Sequence, residues 1–82
     1  MINHVKLSSA QINQKLIITG IQESELRPKL NELGIINGKE ISIIIKAPFS
    51  GPYAIKIDES IISIRKEDAE NITVDVINDD QK

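Results

Sequence analysis

Residues 30–53, LNELGIINGKEISIIIKAPFSGPY, decide the fold of this chain. They begin at the end of a predicted helix, because Leu26, Leu30 and Leu33 recur at the spacing that places apolar side chains on one helical face. We expect these leucines to face the core. Gly34 follows at the point where a helix can turn into the left-handed conformation, so the helix is predicted to end there.

A strand and a proline-rich loop come next. Asn37 and Gly38 tolerate positive φ at little cost and so predict a turn. Residues 39–46 then carry four isoleucines, and β-branched residues favour a strand. Pro48 and Pro52 have no amide hydrogen to donate to a neighbouring strand, so we expect the strand to end in a hairpin loop.

The alternation of side chains predicts a register for this hairpin. Pairing residues whose numbers sum to about 100 sets Ile43 opposite Ile57 and Ile45 opposite Ile55, so that apolar side chains meet on one face. Residues 47–53 are then the loop.

The rest of the chain predicts a mainly β fold. Further strands are expected at 15–21, 61–65 and 72–76, with a single helical turn over 66–69. About five short strands with one helix inserted after the first, and no βαβ alternation, favour a small antiparallel barrel whose closure removes exposed sheet edges. Composition alone does not exclude an OB-like barrel. The inserted helix begins either near Ser24, a suitable N-cap, or at Pro28.

The pattern LxELGIxxGxxIxIxxxAPFxGP over residues 30–52 resembles the ferrous iron transport protein A (FeoA) family of small SH3-like domains. Residues 61–69 and 72–74 are similar to the closing segment of the same family. The resemblance implies a small antiparallel SH3-like barrel. Asn13 stands near a place where the family usually has glycine, and residues 58–60, Asp-Glu-Ser, replace a turn that often contains one. Asn and Asp are the next best residues for such turns.

Length, charge and composition bound the function. The 82 residues predict one domain over 1–77 with a polar, disordered tail at 78–82. Ten basic against twelve acidic residues leave a net charge of −2, which does not favour nucleic acid. The absence of cysteine, of a signal-peptide apolar region and of a membrane-length apolar run predicts a cytoplasmic protein that does not span the membrane.

The residues also limit the chemistry. His4 is the only histidine, lies in an N-terminus expected to be mobile, and has no cysteine to join it, so one copy cannot build a ferrous site or a soft-ligand site. No glycine-rich phosphate loop leads from a strand into a helix, and no serine has an identifiable base. We therefore expect no catalytic residue, no metal site and no cofactor.

Candidate partner-binding residues gather in the proline-rich loop. The chain's one Phe and one Tyr, Phe49 and Tyr53, lie between or beside Pro48 and Pro52. A stiff loop that presents aromatic rings loses little entropy on docking. The alternative is that one ring folds back and closes an open end of the barrel.

A second set of candidates lies outside the loop. The predicted register leaves Ile44 on an outer face together with Lys46 and Lys56. Arg65 could meet an acidic patch on a partner, although such a residue is also typical of a solvated strand end.

The resemblance implies an accessory protein of ferrous iron uptake that acts with a membrane ferrous iron transporter, whose cytoplasmic part is a GTPase domain. An alternative is a regulatory or peptide-binding SH3-like module related to the C-terminal domain of metal-dependent repressors. An RNA-binding module is disfavoured, because it would need a basic face with interleaved aromatic residues. Self-association is left open by the sequence.

Overall fold

The computed structural model describes residues 4–22 and 27–77. Within them, the strands are β1 (His4–Lys6), β2 (Leu16–Ile21), β3 (Glu40–Lys46), β4 (Tyr53–Ile57), β5 (Ser60–Ile64) and β6 (Ile72–Val76). The helices are α1 (Arg27–Glu32), α2 (Lys66–Ala69) and a 3₁₀ turn at Leu7–Ser9. The predicted polar tail lies outside the described residues.

All strand pairs of the sheet are antiparallel, in the order β1-β6-β2-β3-β4-β5. This confirms the mainly β, SH3-like fold class with short helices. The described part of the chain has six strands rather than about five, and its two outer strands, β1 and β5, are not joined. The expected closure of the barrel was therefore wrong, and β1 and β5 are the edge strands of the described sheet.

The additional strand is β1, which the sequence analysis placed in a mobile N-terminus. His4 pairs with Asp75 of β6, and its Nδ1 lies 2.5 Å from a carboxylate oxygen of that residue. Val5 is the one apolar residue among the three residues of β1, and a pattern of three residues is too short to predict a strand. β6 supplies the pairing that orders it.

The end of α1 confirms the predicted helix stop. Gly34 has φ +95°, and its N–H donates to the carbonyl of Asn31, while the N–H of Ile35 donates to the carbonyl of Leu30. These two bonds are those of a Schellman motif, and the burial of Leu30 and Ile35 supplies its apolar contact. The helix therefore delivers the chain directly into the core at Ile35.

Other expectations for this helix fare differently. Leu33 is 40% exposed, because it is the last residue before the left-handed turn and points away from the buried face, so its core assignment was wrong. Arg27 is already helical, so Pro28 lies inside the first described turn and does not begin the helix. The other predicted start, Ser24, and the leucine at position 26 lie outside the described residues.

The register between β3 and β4 differs from the predicted one. Ile43 pairs with Ile55, two residues away from its predicted partner, and Ile45 pairs with Ala54. Between these pairs β3 holds one residue more than β4, so Ile44 is the extra residue of a β-bulge. Residues on the loop side of the bulge consequently face the opposite way from simple alternation.

The core is mainly aliphatic and includes Leu7 of the 3₁₀ turn and Ala69 of α2 together with residues of the strands. Its fully buried large side chains are Leu7, Leu16, Ile18, Ile35, Ile43, Ile55, Ile72 and Val74. Asn13 and Asp58 have φ of 68° and 56°. Both residues thus adopt the left-handed conformation that glycine favours, Asn13 near one of the expected turn positions and Asp58 within the turn at 58–60.

Candidate functional site

The β3–β4 loop is a closed and compact turn. The N–H of Ala47 donates to the carbonyl of Pro52 at 3.1 Å, and the N–H of Gly51 donates to the carbonyl of Pro48 at 3.0 Å. The loop spans residues 47–52, one residue shorter than predicted, because Tyr53 is already the first residue of β4. Two prolines and two internal hydrogen bonds restrict the loop to few conformations.

The tip of this loop holds two residues in a conformation that L side chains rarely adopt. Phe49 has φ 58° and Ser50 has φ 60°. A residue in this left-handed region costs roughly 1–2 kcal/mol relative to the right-handed one, and aromatic residues are uncommon there. The fold therefore holds Phe49 at the tip at a cost in stability.

Gly51 allows the turn to close. A Cβ at this position would lie 2.8 Å from the Cβ of Ala47 and 3.0 Å from the carbonyl oxygen of Pro48. Both distances are shorter than ordinary van der Waals contacts, and the second atom belongs to the backbone. The need for glycine here is thus steric.

The two aromatic rings have opposite environments. Phe49 is 99% exposed, whereas Tyr53 is 5% exposed. The Tyr53 hydroxyl lies 3.5 Å from the carbonyl oxygen of Ser8, at the limit of a hydrogen bond. Tyr53 is thus the ring that folds into the core at this end of the sheet. Because it is buried, it cannot belong to an exposed docking surface.

The bulge also relocates Lys46, which was predicted to lie on the outer face. Lys46 pairs with Tyr53, and paired residues of an antiparallel ladder share a face. Its Nζ donates to the carbonyl of Ser8 at 3.2 Å and lies 5.4 Å from the centroid of the Tyr53 ring. The ammonium group covers the ring that closes the sheet, so its expected outer position was wrong.

The residue that takes the outer position instead is Ile45, which is 55% exposed opposite Ala54. Sequence reasoning missed it because three consecutive isoleucines hide which one is extra. Ile44 is half-buried at the bulge and is not the exposed apolar residue that was predicted. Ile45 adds an apolar side chain at the base of the Phe49 loop.

Arg65 lies at the same end of the sheet. Its neighbour Ile64 pairs with Tyr53, and Arg65 follows where β5 ends. The Arg65 side chain is exposed, and its Nε is 3.6 Å from a carboxylate oxygen of Asp68. A cation is therefore present beside the loop, together with exposed Pro48 and Pro52.

Lys56 lies away from the loop. It lies three residues after Tyr53 on β4, which is roughly 10 Å away at the rise of a strand. Lys56 lines a shallow groove of about 400 Å³. The other lining residues are Lys15, Glu40, Ile41, Ser42 and Asp58. Asp58 is paired with the Nζ of Lys39 at 2.9 Å, and the groove carries charges of both signs. This region is an ordinary mixed surface.

Neither a metal-binding cluster nor a membrane-spanning helix is present in the described part of the chain. In residues 4–22 and 27–77, no group of three or more His, Asp or Glu side chains is placed to hold a metal ion. In the same ranges, no helix is long and apolar enough to cross a membrane. Exposed apolar side chains and a cation meet instead on the loop surface, defined as Ile45, Pro48, Phe49, Pro52 and Arg65.

Comparison with known proteins finds a matching family model and a curated relative. A family model described as "FeoA domain" matches residues 5–76. A fusion of Fe(2+) transport protein A with the Fe(2+) transporter FeoB, from Porphyromonas gingivalis strain ATCC BAA-308 / W83, is 28% identical over 74 residues. The match covers 89% of this chain and 9% of that protein, so the chain spans a small part of the curated relative's length.

Solved structures share the fold. The NMR structure of a FeoA-like protein from Clostridium acetobutylicum has a TM-score of 0.86 and 34% identity, covering 100% of this chain and 96% of that one. A manganese-dependent transcriptional repressor has a TM-score of 0.85 at 14% identity, covering 94% of this chain and 44% of the repressor. The repressor shares the fold alone.

Proposed function

The chain belongs to the FeoA domain family, and from that premise we propose that it is a cytoplasmic accessory protein of ferrous iron uptake. In this proposal it binds the membrane ferrous iron transporter through protein–protein contacts and modulates the transporter's cytoplasmic GTPase domain. It performs no catalysis of its own. The match between the family model and residues 5–76 is the observation that carries the proposal.

The proposed partner follows from the fusion protein of Porphyromonas gingivalis. There, a segment similar to this chain and an Fe(2+) transporter are parts of one polypeptide. Joining two proteins in one chain raises the effective concentration of each around the other, which benefits proteins that act together. The fusion therefore supports an Fe(2+) transporter as the proposed partner of this chain.

The loop surface is the proposed point of contact. Phe49 is fully exposed in a left-handed backbone conformation that costs stability, and its ring contributes nothing to the core. Burying a ring of this size against a partner is worth about 1.5–3 kcal/mol, and the stiff loop loses little entropy on docking. A partner site would be an apolar cleft for Phe49, with an acidic group placed near Arg65.

A second candidate is the regulatory SH3-like module related to the C-terminal domain of metal-dependent repressors. The shared fold supports it, since this chain corresponds to 44% of the repressor's length. At 14% identity the likeness extends to fold only. In that case the loop surface would bind a segment of a repressor chain rather than a transporter.

The test is retention of detergent-solubilised transporter by the tagged protein. Phe49→Ala should reduce retention at least about tenfold, because a central ring at an interface typically contributes more than about 1.4 kcal/mol. Its thermal midpoint should stay near wild type, since the ring is outside the core. Iron-dependent growth of cells that carry the variant should fall in parallel.

Two controls make this result specific. Phe49→Tyr keeps a ring at the tip and should retain most of the binding. Ile36→Ala removes another exposed apolar side chain, in the α1–β3 turn, and should have no effect. Normal retention by Phe49→Ala would place the contact elsewhere, and equal losses in both Ala variants would exclude a specific role for the loop.

A further inference from the structure

The edge of the sheet at β5 has the features of a pairing site. β5 is the last strand of the sheet, with β4 as its neighbour on one side, and its register with β4 is regular along all five residues. Its sequence SIISI holds no charged residue, no proline and no bulge, which are the devices that usually protect an edge. Ile61 is 66% exposed on this strand.

The backbone groups that face outward can be assigned from the β4–β5 turn. Ile57 and Ser60 pair across the two-residue connection, so Ser60 is directed towards β4. Successive residues alternate, and the N–H and C=O groups of Ile61 and Ser63 therefore point away from β4. An approaching strand would bond to these two residues.

The charges at the ends of β5 have opposite signs. The acidic residues Asp58 and Glu59 precede the strand, and the basic residues Arg65 and Lys66 follow it. A second copy of β5 running antiparallel therefore sets the acidic end of one strand against the basic end of the other. The strand is complementary to itself.

One register satisfies both the backbone and the charges. Pairing Ile62 with Ile62 of the second copy sets Ile61 opposite Ser63, the two outward-facing residues, and Glu59 opposite Arg65. A shift by two residues in one direction loses the Glu59–Arg65 contact. A shift in the other direction sets Arg65 opposite Ile61, so it loses this contact as well.

We propose that two copies of this chain associate through antiparallel pairing of their β5 strands, centred on Ile62 and flanked by two symmetric Glu59–Arg65 ion pairs. The pairing extends the sheet across both copies and covers the outward-facing groups of Ile61 and Ser63. The interface is small and is of the weak, reversible class, so protein concentration and ionic strength control it.

Sedimentation equilibrium from micromolar concentration to about 1 mM tests the proposal, a range that covers weak complexes. In low salt, the wild-type average mass should rise from 9.1 kDa towards twice that value. Glu59→Arg and Arg65→Glu should each weaken association at least about tenfold, because each replaces two attractions by two repulsions. The double variant should restore it.

Further variants separate pairing from folding. Ser63→Pro removes an outward N–H for which residues 4–22 and 27–77 supply no hydrogen bond, so it should abolish association and leave the melting curve of the monomer near wild type. Lys6→Glu, a matched charge reversal on the opposite edge strand, should associate normally. A wild-type chain that stays monomeric throughout, or a dimer that the double reversal does not restore, would overturn the proposal.

Discussion

Truncating Ile43 and Ile45 separately tests the bulge in β3, on which the assignment of the loop surface depends. Simple alternation along the strand makes both residues core residues. In the structure, Ile43 is completely buried and Ile45 is 55% exposed. The two substitutions to Ala therefore remove the same atoms from very different surroundings.

The expected losses follow from these burials. Ile→Ala deletes three carbon atoms, worth about 2.4 kcal/mol of transfer free energy at about 0.8 kcal/mol each. At Ile43 a cavity is added, so we expect the free energy of unfolding to fall by about 2–5 kcal/mol. At Ile45, less than half of this surface is buried and no enclosed cavity forms, so a loss of about 1 kcal/mol is expected.

Urea denaturation followed by circular dichroism measures both losses, with midpoints compared at equal slopes. The assay suits an 82-residue domain, which we expect to unfold in one cooperative step. Comparable losses at the two positions would refute the bulge and return Ile45 to the core. In that event Lys46 would lie on the outer face and Tyr53 would lose its cover.

Three further outcomes are expected. Gly34→Ala should destabilise the fold by about 1–2 kcal/mol in thermal or denaturant melts, because φ is +95° there although the new Cβ has room. Gly20→Ala is the matched control, with the nearest atom to its new Cβ at 3.9 Å, and it should destabilise the fold less. Gly51→Ala should cost about 1–3 kcal/mol through the contact of its Cβ with Ala47, and it should also reduce transporter retention by distorting the loop. Anaerobic equilibrium dialysis should find no stoichiometric ferrous iron on the isolated chain, which has one His and no Cys, and one tightly held iron per chain would contradict this expectation.

The features that the sequence predicted well have strong local causes. Gly34 ends α1 because a left-handed residue is needed there, and Gly38, with φ +90°, closes the turn before β3. Pro48 and Pro52 stop the ladder, since neither can donate a backbone hydrogen bond. Each of these residues restricts its own backbone, so its effect can be predicted without knowledge of its neighbours in space.

The features that the sequence missed depend on contacts between distant segments. β1 forms by pairing with β6, and its three residues, of which one is apolar, do not by themselves predict a strand. The position of the bulge is similarly hidden. Ile43, Ile44 and Ile45 are identical residues, so composition cannot distinguish the extra one. Its position depends on partners distant in sequence, such as Ile55 of β4 and the N–H of Asn13, which donates to the carbonyl of Ile43.

The bulge also explains why two aromatic residues four positions apart have different roles. By turning Lys46 to the side of Tyr53, it brings the ammonium group over the ring and to within 3.2 Å of the Ser8 carbonyl oxygen. Tyr53 is then buried at this end of the core, whereas the ring of Phe49 is not part of the core. Phe49 remains at a tip held by Gly51 and two prolines, where a partner can reach it. A rearrangement of one residue within β3 thus separates a ring that stabilises the fold from a ring that is available for docking.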